Sequence, residues 1–280
     1  MRLALIQTKQ NSLYDFQSSM PLNPEKVALL QKEMMEQNYR LIREAQAQKC
    51  DLIVTSEAIN FSGQPKRLGS GWEKLIADTQ LEILKHSSML AKEAGSYLIA
   101  GMYRLDEENR MRNSAVIFDR NGEILDIYNK IHLAGDENGY LIPGNRFVCF
   151  NTEFGRIGVC ICWDAQFPET HRALALEGAH LVACPTWGWE AVYGHARAYE
   201  NGIHVAAAMA VPFHEDICGI RNPSEVIGPD GTVLFSASRE NAQALICDFD
   251  PQAQHELWSM RMSGRKPGRY GVLLSPRINF

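Results

Sequence analysis

The stretch Gly155-Arg156-Ile157-Gly158-Val159-Cys160-Ile161-Cys162-Trp163-Asp164, closed by Ala165-Gln166-Phe167-Pro168-Glu169, decides how this chain is read. It opens as a short apolar run of strand length, rich in β-branched residues. A Trp-Asp pair interrupts it, and Pro168 and Glu169 open a helix that runs to Gly178. A cysteine at the end of a strand, just before a helix, sits on a sharp turn. Its sulfur then projects clear of the sheet, near helix-terminal N–H groups that lower a thiol pKa and can hold a developing oxyanion. This is the logic of a nucleophile elbow without the Gly-x-Ser-x-Gly letters. The competing reading is a buried strand whose two cysteines are small hydrophobes. The rest of the chain decides between them.

At 280 residues the chain has room for one or two domains, and an α/β fold of this size often forms one unit. Apolar residues make up 45% and charged residues 22%, enough for a large core and against wholesale disorder. A net charge of −5 argues against a nucleic-acid or anionic-membrane partner. Seven cysteines, an odd number at spacings that form no disulfide framework, fit a reducing compartment. The apolar run at Leu3–Ile6 is too short for a signal peptide and no stretch reaches transmembrane length, so the expectation is a soluble cytoplasmic protein.

Taken in order, the chain alternates helices and strands. Leu3 to Thr8 reads as a buried strand, and Asn23-Pro24 as the cap and first turn of a helix to about Lys49. Asp51 to Thr55 is a second strand that delivers Glu57 at its end. A Gly/Ser-rich loop spans Phe61 to Gly71, and a helix from about Thr79 stops at Gly95. A strand from Tyr97 to Tyr103 follows. Asn121-Gly122 then joins two alternating runs as a hairpin, whose second arm ends in Lys130. A loop from Ala134 to Gly144 leads into the cysteine strand. Beyond it, strands at His180–Cys184, His204–Met209, Glu225–Gly228, Thr232–Phe235 and Gln243–Phe249 surround a helix over Glu190–Asn201. Several strands are apolar on both faces, which suggests an α/β fold with helices covering stacked sheets. No repeat or linker splits it.

Four short segments line up. Thr55-Ser56-Glu57, Tyr128-Asn129-Lys130-Ile131-His132-Leu133 and Cys162-Trp163-Asp164 each end a strand, and Glu137 precedes Pro143-Gly144. A carboxylate, an ammonium and a thiol at such strand ends converge on one mouth of a sheet. With Phe167-Pro168-Glu169 and Arg197-Ala198-Tyr199-Glu200-Asn201, these segments resemble the nitrilase, or carbon–nitrogen hydrolase, superfamily from Leu3 to about Phe249.

The resemblance implies a four-layer α-β-β-α sandwich over residues 1–250, with a C-terminal extension over 251–280 reaching a partner in a homodimer. It implies Cys162 as nucleophile, Glu57 as base, and Lys130 with the Trp163 N–H as oxyanion donors. The family's second glutamate lies seven residues before a Pro-Gly glycine, which is Glu137 here, with the adjacent Asp136 competing. The Glu200 region would support the site from behind. Asp164 follows the aromatic residue as in amide-cleaving branches. Ala165-Gln166 replaces the arginines of carbamoylases acting on D-amino acids, and the segment after Met209 lacks the usual Asn-Arg.

Trp187, Trp189 and Tyr193 either wall a substrate pocket or fill core. A Cys160–Cys162 metal pair has no second pair of zinc spacing, so no metal and no cofactor is expected. The expected reaction is hydrolysis of a small amide or carbamoyl compound through a cysteine thioester. The alternatives are a nitrilase and a non-catalytic member that binds a small molecule.

Overall fold

The computed structural model describes residues 1–15, 18–213 and 221–274, apart from the side chains of Ser70 and Asp136. Cys218 and His214 therefore lie outside the described residues, as does Asp136 as a competitor for the second carboxylate. Among the described residues twelve strands run as β1 (Arg2–Lys9), β2 (Leu52–Val54), β3 (Tyr97–Leu105), β4 (Met111–Phe118), β5 (Ile124–Asn129), β6 (Val148–Thr152), β7 (Gly155–Val159), β8 (Leu181–Thr186), β9 (His204–Val211), β10 (Glu225–Ile227), β11 (Val233–Ser236) and β12 (Gln243–Asp248). The helices are α1 (Pro24–Ala47), a single turn α2 (Pro65–Leu68), α3 (Trp72–Ala94), α4 (Pro168–Leu176), α5 (Ala191–Asn201) and α6 (His255–Ser263).

Local chemistry sets the boundaries. The Asn23 side chain accepts from the Glu25 N–H at 2.8 Å and caps α1, with Pro24 in the first turn. The left-handed Gly95 ends α3. The Asp119 carboxylate accepts from the N–H groups of Asn121 and Glu123, both at 2.8 Å, and closes the β4–β5 hairpin.

The strands follow the order β5-β4-β3-β2-β1-β9-β8-β7-β6, with β12 on β1 and the β10–β11 hairpin on β9. β1, β2 and β3 are mutually parallel, as are β7, β8 and β9. The two halves join where Thr8 pairs with Ala210 and Lys9 with Val211. Period-2 alternation along β1 sends Leu3 and Leu5 into one core and Ala4 and Ile6 into another. The first core lies between the halves, where Leu3, Leu5, Val54 and Ile99 meet Val159, Leu181 and Ala206. The second packs the β1 half against α1 and α3. The third packs the β8 half against α4 and α5. Helix, sheet, sheet and helix therefore stack in four layers, which is the expected α/β architecture.

Several boundaries depart from the sequence reading. β6 was not expected. It pairs antiparallel with β7 and buries Val148 and Phe150 between the sheets. α3 starts at Trp72 rather than near Thr79, because Trp72 and Ile76 bury against Tyr103 in a further apolar cluster. The Gly/Ser-rich loop holds the turn α2. α6 packs on its own chain: Trp258 Nε1 donates to the Ala175 carbonyl at 2.9 Å, and Trp258 and Met262 complete the third core.

Candidate active site

The C-terminal ends of β2, β5, β7 and β8 open at the same end of the stack, and each carries one part of the site. Past β2 the chain turns sharply through Glu57 and Ala58, whose φ is +44°. The Gly101 N–H donates to Thr55 Oγ1 at 2.9 Å, and the Gly101 carbonyl accepts from the Ile59 N–H at 2.9 Å. A Cβ at Gly101 would come within 2.5 Å of the Ser56 carbonyl oxygen, so the turn needs glycine beneath it. After β5, Lys130 donates its N–H to the Asn113 carbonyl at 2.9 Å and accepts from the Gly144 N–H at 2.8 Å. The strand that leads to Cys162 ends at Val159, and Cys162 opens the turn Cys162–Gln166 with φ at +46°. A non-glycine residue in that region is strained and held by its surroundings.

Asp164 does much of the holding. It is fully buried and accepts from Tyr128 OH at 2.7 Å, the His132 N–H at 2.9 Å, His132 Nδ1 at 2.9 Å and the Ile161 N–H at 2.9 Å. One carboxylate thus ties the Cys162 turn to the arm that carries Lys130. Tyr128 and His132 in the sequence motif are structural donors to it. On the other side, Arg197 of α5 donates to the Ala165 carbonyl at 2.9 Å and to the Gln166 carbonyl at 2.8 Å, and pairs with Glu200 at 3.1 Å. The Arg197–Glu200 segment backs the Cys162 turn.

Lys130 Nζ, almost fully buried, donates to Glu57 Oε1 at 2.9 Å and to Glu137 Oε2 at 2.8 Å. Glu137 sits in the turn Gly135–Gly139, where its Oε2 also accepts from the Ala134 N–H at 2.7 Å. Asn113 Nδ2 bridges the same two carboxylates, at 2.7 Å to Glu57 Oε1 and 3.1 Å to Glu137 Oε1. Trp187 donates its backbone N–H to Glu57 Oε2 at 3.1 Å and its indole N–H to the Glu57 carbonyl at 2.7 Å.

Burial pushes the Glu57 carboxyl up, with Lys130 opposing and Glu137 reinforcing. Burial also works against the Lys130 ammonium, but Glu57, Cys162 and Glu137 hold it well above the usual lysine value. Burial and the neighbouring Glu57 push the Cys162 thiol up to about 12, against the pull of Lys130. The sequence expectation of a lowered thiol is therefore reversed. Burial and the Glu57 charge thus favour the protonated thiol over the thiolate.

These groups line a cavity of about 470 Å³. Cys162, Glu57, Lys130 and Glu137 form its reactive wall, and Trp163, Trp187 and Tyr193 form aromatic walls. Gln64, Lys66, Gln166, Glu190 and Arg221 make the rest polar. A wider groove of about 580 Å³, lined by Trp72, Glu73 and Ile142, shares Tyr140 with it but holds no nucleophile. Trp189, expected beside the substrate, is a correction. It is fully buried in the third core, stacks edge-on with Tyr193 and donates to Glu225 Oε2 at 3.1 Å. In the extended chain before α5, Trp187 faces the cavity and Trp189 faces the helix. Cys160 also faces that core, with its Sγ 3.9 Å from His171 Nε2. Sequence reasoning missed Arg221, which lines the cavity, and Asn113, which is buried behind Glu57 and Glu137, since neither stands at a strand end.

A carbon–nitrogen hydrolase family model matches residues 2–256, and the chain belongs to that family. The protein named "Probable nitrilase C965.09" of Schizosaccharomyces pombe is 32% identical over 245 residues, covering 81% of this chain and 89% of its own. Omega-amidase NIT2-B of Xenopus laevis is 28% identical over 248 residues, covering 82% of this chain and 88% of its own. The crystal structure of a carbon–nitrogen hydrolase from Helicobacter pylori G27 matches in fold, with a TM-score of 0.80 at 22% identity over 98% of both chains. The chain is an amidase-like hydrolase. Among the described residues no helix is long and apolar enough to cross a membrane.

Proposed function

We propose that this hydrolase cleaves a small polar amide or carbamoyl compound to an acid, with release of ammonia or amine, through a thioester on Cys162. The observation that carries the reading is the meeting of a half-open thiol, a buried carboxylate and a buried ammonium in one cavity. Glu57 takes the Cys162 proton as the sulfur attacks the carbonyl carbon. Lys130 spends two N–H groups on carboxylates and has a third for the oxyanion, with the Trp163 N–H beside it. Collapse expels the leaving amine, which receives the proton from Glu57. Water, deprotonated by Glu57, then cleaves the thioester. Thiol, base and oxyanion donors are all protein groups, so no step calls on a cofactor. The mixed aromatic and polar lining favours a small substrate with polar groups over a long aliphatic chain.

The curated relatives carry the names nitrilase and omega-amidase, so the test sets amides against nitriles. Ammonia release is measured over a panel of amides, carbamoyl compounds and nitriles, alongside mass spectrometry of the quenched enzyme. Amide turnover with an acyl adduct on the Cys162 peptide is the expected result. Turnover of nitriles alone would move the chain to the nitrilase reading. Tight binding without turnover would make it a non-catalytic binder.

A further inference from the structure

The two carboxylates beside the thiol differ in how full they are. An ionised carboxylate offers about four lone-pair positions, two on each oxygen. Glu137 has donors at all four: Lys130 and the Ala134 N–H on Oε2, Asn113 at 3.1 Å and Tyr103 OH at 3.4 Å on Oε1. Glu57 has two donors on Oε1, Asn113 at 2.7 Å and Lys130 at 2.9 Å, but among the described residues one N–H on Oε2, that of Trp187 at 3.1 Å, with the Cys162 thiol as a further side-chain partner of the carboxylate. Glu57, Lys130, Glu137 and Asn113 thus close a ring of hydrogen bonds, and the position left open in it is on Glu57 Oε2.

We propose that Asn113 is a positioning residue: by closing this ring it saturates Glu57 Oε1 and Glu137, and so reserves Glu57 Oε2 as the atom that takes and returns the Cys162 proton. The proposal rests on the thioester reading above. The side chain occupies this place at a cost, because Asn113 Oδ1 is buried without a hydrogen-bond partner among the described residues. Turning the amide over would point that oxygen at two carboxylates, so their charge fixes its orientation. The backbone role of Asn113, accepting from the Lys130 N–H, is separate and survives substitution of the side chain.

In the cycle, the proton passes from Cys162 Sγ to Glu57 Oε2 as the S–C bond forms. It then leaves on the departing nitrogen as the C–N bond breaks. Water gives a proton to the same Oε2 and its oxygen bonds the acyl carbon; as the C–S bond breaks, that proton returns to Sγ. Amide and water become acid and ammonia or amine, and the bonds to Oε1 persist throughout. Glu137, fully occupied, has no position for a proton in transit.

The groups that face Glu57 are Lys130 at the end of β5, Glu137 in its turn, Cys162, Tyr14 and Tyr103. Removing the Asn113 N–H takes a donor from the ionised form of Glu57 and should make it harder to ionise. The test is the pH dependence of Cys162 alkylation by iodoacetamide, with kcat/KM measured in parallel, in wild type, Asn113→Leu and the near-isosteric Asn113→Asp. The acid limb of both profiles is expected to move up by about one pH unit in Asn113→Leu, as a hydrogen bond to a charged group implies. It should move further in Asn113→Asp, where a third carboxylate enters the ring. A limb that stays in place in whichever variant folds, with activity falling equally at every pH, would reduce Asn113 to a structural residue and overturn the proposal. Alkylation needs no substrate. If wild type hydrolyses no amide, the functional reading fails while the alkylation profiles still decide the role of Asn113.

Discussion

Cys162 and Cys160 stand two residues apart and face opposite surroundings, one the cavity and the other the helix-covered core. Cys162→Ala should abolish turnover, while Cys160→Ala should leave most of it. Iodoacetamide labelling with peptide mapping checks this directly, and preferential modification of Cys160 would reverse the assignment. Burial also holds the Cys160 thiol well above its ordinary value, which disfavours the reactive thiolate. Glu57→Gln and Lys130→Ala should each lower kcat by about 10² to 10³ with the fold intact, the scale of a lost oxyanion donor or general base. Glu137→Gln should also damage the rate, because it leaves a buried ammonium with one anionic partner. A Lys130→Ala enzyme with near-normal kcat would show that the ammonium is not at the reacting carbonyl.

At the scale of elements, the site depends on how turns are tied together. Asp164→Ala removes the acceptor for four donors on two segments, so Lys130 and Cys162 would lose their common anchor. A loss of about 3 kcal/mol in stability is expected from breaking such a buried network, with kcat falling further than KM rises. Urea unfolding and steady-state kinetics measure the two. Beside it in α4, burial, with Arg197 adding, pushes His171 down to about 3. A base depressed in the folded state contributes stability above its unfolded pKa of about 6.5, and this is lost as pH falls toward 3. Stability should decline across that window, and His171→Leu should flatten the decline in a thermal-melt series. An equally steep decline in His171→Leu would assign the acid sensitivity to other groups.

At the scale of the whole molecule, the tail divides into two parts. Trp258 and Met262 are half-buried against the chain's own third core, whereas Val272 is 77% exposed and Leu274 87% exposed. Val192 and Tyr199 on α5 and Met260 on α6 expose further apolar surface. A homodimer covering it is expected, with a light-scattering mass near twice the 31.5 kDa of one chain. Truncation after residue 264 should then weaken the dimer and spare the fold. Truncation after residue 249 should unfold the α4–α5 side, because it strips Trp258 from the core. A mass near 31.5 kDa at micromolar concentration would rule the dimer out.

What the sequence alone determined is what local order along the chain can carry. Strand alternation, helix caps and the Asn121-Gly122 turn are set by neighbours a few residues apart and were legible, whereas Glu57, Lys130, Glu137 and Cys162 were legible through the family resemblance of the short motifs that hold them. β6 was not, because its only signal is a short run whose value depends on pairing with β7. The facing of Trp187 and Trp189 was not, because a residue's side of an extended segment is decided by which sheet it packs on. The direction of the Cys162 shift was misread for the same reason: helix N–H groups are local, whereas burial and the charge on Glu57 come from a strand 105 positions earlier in the sequence. Asn113 lies mid-strand, and nothing around it in sequence distinguishes its amide. Only the fold brings it between two carboxylates, because hydrogen-bond occupancy is a property of three-dimensional neighbours.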